Sequence, residues 1–204
     1  TGVQKTTHFG AKGMSDFTIH KDPKRKQRYI RRHRVREDWS DPGKVFVGIL
    51  PNDLSQKMEV KPIIENLTHN HGYYKATYEG KVASYITTDE GVFVFLPPEQ
   101  KDGEWEIKHI IEKRVSDVAV FDIDGDGENE ILSIEPFHGN QMHIYKKVNG
   151  KYEIVYTVPR PIEFAHAICG TTLRGLPVFV CGIRRLNAEL FYIEFNKETK
   201  QFDI

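Results

Sequence analysis

The chain has 204 residues, of which 39% are hydrophobic, and its 29 Lys and Arg balance its 29 Asp and Glu. This length and apolar content suffice for one or two domains with a buried core. No run of 18 apolar residues occurs, which argues against a membrane-spanning helix. Two cysteines are too few for a disulfide-rich secreted scaffold.

Charge is distributed unevenly along the chain. Residues 1–42 hold 11 Lys and Arg and 5 Asp and Glu, whereas residues 43–204 hold 18 and 24. This asymmetry predicts two modules with different partners, a basic N-terminal arm over residues 1–42 and a second module over residues 43–204. No signal peptide is visible, but the chain begins at Thr1 and not at Met, so a processed N-terminus stays open. We expect an intracellular or virion location in preference to a secreted one.

The N-terminal arm is predicted to form a short basic helix. Asp22 is an N-cap candidate, Pro23 suits the first helical position, and helix-forming residues follow as far as Trp39. Dense positive charge on one helix is unfavourable unless anions neutralise it, which favours binding to nucleic acid or another polyanion. Docking on the acidic second module, or a flexible arm, are the alternatives. The predicted polyanion-binding residues are Lys24, Arg25, Lys26, Arg28, Arg31, Arg32, Arg34 and Arg36.

The same arm resembles small basic proteins encoded by large DNA viruses of algae and their relatives. The resemblance rests on "HFGAKGMSDFTIHKDPKRKQRYIRRHRVREDW" at residues 8–39, where FG, KG, SD, HKD, RK, RY, RH, RE and W recur in the same order. It implies a virus-associated or nucleic-acid-proximal role for residues 8–42. A nucleic-acid-associated structural protein is therefore one hypothesis for the whole chain.

Residues 43–204 alternate short β-branched and aromatic runs with turn signals, which predicts an all-β fold. Three stretches, at residues 70–113, 115–158 and 165–204, each contain four predicted strands in the same rhythm. That spacing predicts a β-propeller-like repeat of four-stranded blades, with residues 43–69 as a doubtful fourth blade. Propellers usually close with about four to eight blades. An unusual ring, a fragment, or an oligomer that completes the propeller all stay open.

One turn of the second repeat, "VFDIDGDGENEIL" at residues 120–132, concentrates carboxylates between apolar strands. Such charge repels itself unless a cation neutralises it, and calcium prefers several oxygen ligands at this kind of spacing. An EF-hand would need Glu at the twelfth loop position, which is Ser133, and the flanking residues predict strands in place of helices. An acidic hairpin that binds nothing is the alternative. The predicted calcium ligands are Asp122, Asp124, Asp126, Glu130 and, through its carbonyl, Glu128.

The loop and the strand rhythm together resemble the FG-GAP/VCBS type of β-propeller repeat over residues 70–204. In that family D-x-D-G-D-G-x-x-[DE]-[IL] joins the first two strands of a blade and binds calcium. The resemblance implies a calcium-stabilised, non-catalytic module that contacts proteins or glycans. Since some propellers of this type resemble polysaccharide lyases and sugar dehydratases, a carbohydrate-active enzyme is the alternative that the resemblance implies.

The repeat aligns three polar residues, His71, Asp117 and His166, at the start of the innermost strands. In a propeller these positions point toward the central channel. They could therefore perform acid–base chemistry, or His71 and His166 could bind a transition metal. Polar residues that only line a wet funnel are the alternative. Three other histidines are predicted to lie at the surface, namely His109, His138 and His143.

The remaining reactive side chains give little support to catalysis. Cys169 and Cys181 flank a predicted hairpin turn near Gly175, so a disulfide or two buried free thiols are both possible. The sequence contains no nucleophile elbow, phosphate loop, CxxC pair or HExxH motif. We therefore expect a binding module more than an enzyme.

Overall fold

A computed structural model describes residues 43–49, 53, 55–101, 103–136, 138–184 and 188–204, together with Lys24. The chain divides into two compact units, Thr1–Asp41 and Pro42–Ile204. The predicted basic helix lies outside the described residues except for Lys24, which has helical backbone. Within the described ranges, no helix combines the length and the apolar character that crossing a bilayer requires.

The second unit is built from strands in its described part. The strands are β1 (Gly43–Ile49), β2 (Glu59–Leu67), β3 (Tyr73–Tyr78), β4 (Lys81–Thr87), β5 (Val92–Leu96), β6 (Glu106–Ile111), β7 (Asp117–Phe121), β8 (Glu130–Glu135), β9 (Gln141–Val148), β10 (Lys151–Thr157), β11 (Ala165–Leu173), β12 (Leu176–Ile183), β13 (Leu190–Asn196) and β14 (Gln201–Asp203). They form the hairpin β1–β2 and three antiparallel sheets, which we call the first (β3–β6), second (β7–β10) and third (β11–β14) sheets. The predicted all-β fold with four-stranded units is confirmed, and none of these sheets closes into a barrel. The described residues between 43 and 69 form two strands, whereas each of the three sheets has four.

Tight turns fix the register of several strand pairs. Glu79-Gly80, Asn149-Gly150 and Arg174-Gly175 each join two strands, and all six residues have positive φ between 50° and 84°. Two-residue hairpin turns with both central residues in this region match the right-handed twist of the flanking strands. A glycine at the second position tolerates that conformation without steric cost.

Apolar side chains fill the spaces between successive sheets. Leu67, Phe93 and Phe95 form a cluster between the β1–β2 hairpin and the first sheet. The cluster between the first and second sheets includes Tyr85, Val94, Val120, Ile131 and Tyr145. The cluster between the second and third sheets includes Leu132, Ile144, Phe179 and Ile193. Because the first and second sheets are covered on both faces, their central strands β5 and β8 are buried along their whole length.

The first strands of the three sheets lie next to one another. Strand β7 contacts both β3 and β11. The hydroxyl of Tyr74, on β3, accepts a hydrogen bond of 3.2 Å from the backbone N–H of Gly170, on β11. The strand beginnings, where the aligned polar residues lie, are therefore brought together in space.

The two cysteines are free thiols on opposite faces of the third sheet. Cys169 pairs with Val180 and Cys181 pairs with Ile168, so their side chains alternate across the sheet. Cys181 is buried, and this burial raises the pKa of its thiol to about 12. Cys169 is exposed, so the expectation that both thiols are buried is wrong for this residue. The outward face of β11 is not covered by a further sheet in the described part of the chain.

Candidate metal centre

The acidic loop, residues 122–130, connects the first two strands of the second sheet. Phe121 and Glu130 are the last paired residues before the turn. Gly125 and Gly127 have φ of 77° and 95°, which lets the backbone curl back on itself. Glu130 is fully buried at the beginning of β8, although it carries a carboxylate. The loop thus joins a buried carboxylate to an exposed acidic turn.

Asp122 organises the backbone of the loop. Its Oδ1 accepts hydrogen bonds from the N–H groups of Gly125, at 2.8 Å, and Asp126, at 3.1 Å. Its Oδ2 accepts a third from the N–H of Gly127, at 3.0 Å. These bonds satisfy backbone donors that the tight turn would otherwise leave without partners. Asp122 is therefore a structural residue of the loop as well as a predicted ligand.

The other carboxylates each use one oxygen within the loop. Asp124 Oδ1 accepts a hydrogen bond of 3.1 Å from the N–H of Asp126, and Asp126 Oδ1 accepts one of 2.9 Å from the N–H of Glu128. Glu130 Oε2 accepts a hydrogen bond of 3.1 Å from the N–H of Ile123. In each of the three carboxylates, the second oxygen is left to interact elsewhere.

Those second oxygens converge on the side chain of Lys146, which lies on strand β9. Lys146 Nζ donates a hydrogen bond to Asp124 Oδ2, and it lies 2.7 Å from Asp126 Oδ2 and 3.2 Å from Glu130 Oε1. Burial lowers the pKa of Lys146, but the hydrogen bonds to Asp124 and Asp126 outweigh it and hold this pKa above its usual range. No local motif in the sequence indicates this lysine.

The buried carboxylate of Glu130 remains the least satisfied group of the loop. Its Oε1 is fully buried and accepts no hydrogen bond of good geometry, although Lys146 Nζ lies 3.2 Å away. Burial, followed by the charge of Asp124, raises the pKa of Glu130 to about 7. One ammonium faces the carboxylates of Asp124, Asp126 and Glu130, so the negative charge is only partly neutralised.

Three of the loop carboxylates lie close enough together to hold a metal ion. One ligand atom from each of Asp122, Asp124 and Glu130 lies within 4.8 Å of the other two, and no other such group of three occurs among the described His, Cys, Asp and Glu residues. All three offer carboxylate oxygens, which are the hard ligands that calcium prefers. The other two predicted ligands are not part of this group of three. Asp126 contacts Lys146, and the side chain of Glu128 is exposed.

A second group of polar residues surrounds the beginnings of the innermost strands. The ring of His138 meets His71 edge to face, with 4.7 Å between centroids, and stacks on His166 at 5.4 Å. The pKa of Asp117 is raised above its usual value by burial of the carboxylate. This effect outweighs the hydrogen bond from the N–H of Val118 and the nearby His71 and His166, which lower the pKa. His71, Asp117 and His166 thus surround one region. Their ligand atoms do not all lie within 4.8 Å of one another, so a transition metal at His71 and His166 stays a prediction.

The three histidines predicted to lie at the surface have different environments. His109 is exposed, as predicted, but His138 is half-buried among the aromatic rings of the strand beginnings. His143 is buried, and its Nδ1 lies 2.9 Å from Thr157 Oγ1. The surface prediction is wrong for His138 because the turn that precedes β9 folds back onto the strand beginnings. It is wrong for His143 because this residue lies within β9, paired with Ser133 of β8.

The tautomer of His71 is set by its backbone partner. His71 Nδ1 lies 3.1 Å from the carbonyl oxygen of Ser116, and a carbonyl can only accept, so Nδ1 carries the proton. In the neutral ring the lone pair then belongs to Nε2. This orientation suits a base or a metal ligand, which supports the alternative functions of the histidine group.

Close packing at Gly72 holds His71 beside Asp117. A Cβ at Gly72 would lie 2.5 Å from Thr87 Oγ1 and 2.6 Å from Asp117 Oδ1. We expect Gly72→Ala to lower the free energy of unfolding by about 1–3 kcal/mol, measured by urea denaturation. Gly182→Ala is the matched control, because a Cβ there would meet its nearest atoms at 3.6 Å. Equal losses in both variants would contradict the tight packing at Gly72.

The predicted polyanion-binding residues belong to the N-terminal arm. Of these eight cations only Lys24 is described, and it is exposed; the other seven lie outside the described residues. The prediction that the arm binds nucleic acid or another polyanion therefore stays a prediction.

Comparison with known proteins gives one match. A family of unknown function, DUF5754, matches residues 1–33. No curated protein matches the chain at a significant level. The family match lies within the basic arm and does not reach the acidic loop or the sheets. It therefore gives no information about the function of the second unit.

Proposed function

We propose that residues 43–204 form a calcium-stabilised, propeller-like binding module. The calcium would be structural, and the surfaces of the sheets would contact a protein or a glycan. One observation carries this proposal: the buried Glu130 carboxylate, the largely buried Asp124 carboxylate and the exposed Asp126 carboxylate aim oxygens at one point, which a cationic group already occupies. A loop with that geometry is built to hold positive charge.

The arrangement of the sheets supports a propeller in preference to a sandwich. Three four-stranded meanders follow one another with the same strand order, and their first strands lie side by side. Successive sheets pack face to face through apolar clusters. Blades around a central axis have this relationship, whereas a sandwich has only two sheets.

Electrostatics favour a divalent cation over the lysine alone. A buried charge that lacks a full counter-charge lowers the stability of the folded state by several kcal/mol, and the carboxylate of Glu130 is fully buried. When bound, calcium supplies two positive charges and several ligand positions, which links metal binding to folding. Asp122, Asp124, Asp126 and Glu130 would hold it, with Glu128 through its carbonyl.

The outward face of the third sheet supports a role in binding. Leu176, Leu190 and Tyr192 lie on the face opposite Phe179 and are 55%, 75% and 47% exposed. The first and second sheets bury both faces against neighbours. Exposed apolar residues that lie together on one face mark interaction surfaces in soluble proteins. A partner protein, or a second copy of the chain, would cover this face.

Calcium binding is tested by titration calorimetry of the full chain after removal of metal by EDTA. We expect one calcium per chain for the wild type and no measurable binding for Asp124→Asn, because this substitution removes the carboxylate nearest to Lys146. Glu128→Gln is the matched control, since it removes the same charge from an exposed side chain of the same loop. Absence of binding by the wild type and Glu128→Gln at millimolar calcium, in the folded protein, would contradict the proposal.

A second candidate function is carbohydrate-active catalysis at His71, Asp117 and His166. The fixed tautomer of His71 and the half-buried carboxylate of Asp117 favour it. Incubation with uronate-containing polysaccharides would then generate an unsaturated product, detected by its ultraviolet absorbance. We expect a signal lost in His71→Ala if this candidate is correct, and no signal with any such substrate if the module only binds.

A further inference from the structure

We propose that Lys146 is a built-in competitor for the divalent cation at the acidic loop. Its ammonium group contacts the loop carboxylates of Asp124, Asp126 and Glu130, and a calcium ion bound by these carboxylates would displace it. This inference rests on the proposed calcium site and specifies how that site is regulated. Calcium binding would then be weakened by the lysine and coupled to release of its side chain.

The contacts of Lys146 oppose simultaneous occupancy by a calcium ion. Its Nζ interacts with Asp124 Oδ2, Asp126 Oδ2 and Glu130 Oε1, at 2.7 Å for Asp126 and 3.2 Å for Glu130. A calcium ion held by Asp124 and Glu130 would bind carboxylate oxygens of these same two residues at about 2.3–2.6 Å. Two cations that close together repel each other strongly. Each cation therefore weakens the binding of the other.

A cavity beside the loop gives the displaced side chain somewhere to go. The cavity has a volume of about 380 Å³, and both Asp124 and Lys146 line it. Tyr156, Phe195 and Phe202 contribute aromatic rings to its wall. An ammonium group released from the carboxylates could lie over one of these rings and keep a favourable cation–π contact. The lysine therefore has an alternative position that does not require unfolding.

A second cation strengthens the competition. A Cβ built on Gly125, in the middle of the acidic loop, would lie 2.8 Å from Nζ of Lys197, which belongs to the turn between β13 and β14. Positive charge from two different sheets therefore faces the loop. This arrangement reduces the repulsion between carboxylates without metal, and it lowers the affinity for an added cation.

The test compares calcium affinities of the full chain by titration calorimetry, with calcium chloride as the only added ligand. We expect Lys146→Met to bind calcium at least about tenfold more tightly than the wild type, because a competing charge within a few ångströms has been removed. Lys147→Met is the matched control. Lys147 is the next residue on β9 and pairs with Glu79, away from the three loop carboxylates, so its affinity should equal that of the wild type.

A second measurement uses the wild type, so it does not depend on whether a variant folds. Amine-reactive labelling followed by peptide mass spectrometry reports the accessibility of each lysine. We expect labelling of Lys146 to rise at least severalfold in calcium relative to EDTA, whereas labelling of Lys147 stays constant. Displacement predicts this contrast, and a lysine that merely sits near a metal does not.

The outcomes separate the inference from the proposed function. Tighter binding by Lys146→Met than by the wild type, together with increased labelling of Lys146 in the wild type, supports competition. Equal affinities for the wild type and Lys146→Met, with unchanged labelling, would overturn competition and leave the calcium site intact. If neither protein binds calcium, the proposed calcium function fails, and the competition fails with it.

Discussion

Replacing Phe179 with Ala is expected to lower the free energy of unfolding by about 3–5 kcal/mol. Phe179 is fully buried on the central strand β12, and it belongs to the cluster between the second and third sheets. Truncation removes apolar contacts and leaves a cavity that the rigid strands cannot close. Denaturation by urea, with the midpoint and slope both fitted, measures the loss.

Phe46→Ala provides the comparison for this core substitution. Phe46 is 55% exposed on the β1–β2 hairpin, so the same chemical change should cost less than about 1 kcal/mol. If both variants lose similar stability, the face-to-face packing of the second and third sheets is wrong. A large loss in Phe179→Ala alone supports the packing of these two sheets against each other.

Replacing Lys146 with Met is expected to destabilise the protein in EDTA and to destabilise it much less in saturating calcium. In EDTA the variant should lose about 2–3 kcal/mol, since it leaves Asp124 and Glu130 without their cation. The loss lies below that of a fully buried pair because 27% of the Lys146 side chain is exposed. In saturating calcium the metal replaces the missing charge, and most of this stability should return.

Chemical denaturation in both solutions measures this difference, with Lys147→Met as the reference variant. Lys147 pairs with Glu79 at a partly exposed position, so its removal should cost less than about 1 kcal/mol in either solution. A Lys146→Met variant that is equally stable in EDTA and in calcium would contradict cation exchange at the loop. So would a wild type that is destabilised by calcium.

Local features of the fold were predictable because they depend on neighbouring residues. The turns at Glu79-Gly80, Asn149-Gly150 and Arg174-Gly175 follow from glycine after a residue that tolerates positive φ. The strands follow from short apolar runs between such turns. The two-stranded hairpin over residues 43–69 was less predictable, because the sequence pattern there does not distinguish two strands from an irregular set of four.

The acidic loop was predictable, but its cation was not. Asp122, Asp124 and Glu130 lie within nine positions of one another, so their spacing alone indicated a shared site. Lys146 reaches the carboxylates of Asp124 and Glu130 from β9, and this contact depends on the pairing of Ile131 with Tyr145. Register across strands is set by packing over the whole sheet, which a sequence pattern does not report.

The histidine group shows the same distinction between local and long-range information. The repeat aligned His71, Asp117 and His166, and the structure brings them into one region. His138 joins them from a turn after β8, and its position depends on that turn folding back onto the strand beginnings. Because periodicity carries no signal for such turns, His138 was assigned to the surface.

Thermal unfolding of the full chain in calcium and in EDTA, with elemental analysis of the purified protein, tests the calcium-stabilised module most directly. We predict one calcium per chain and a midpoint that is several degrees higher in calcium, because metal that binds only the folded loop stabilises the folded state. The shift should disappear in Asp124→Asn and persist in Glu128→Gln. Equal midpoints in calcium and EDTA, with no bound calcium, would show that the acidic loop is neutralised by Lys146 alone and is not a calcium site.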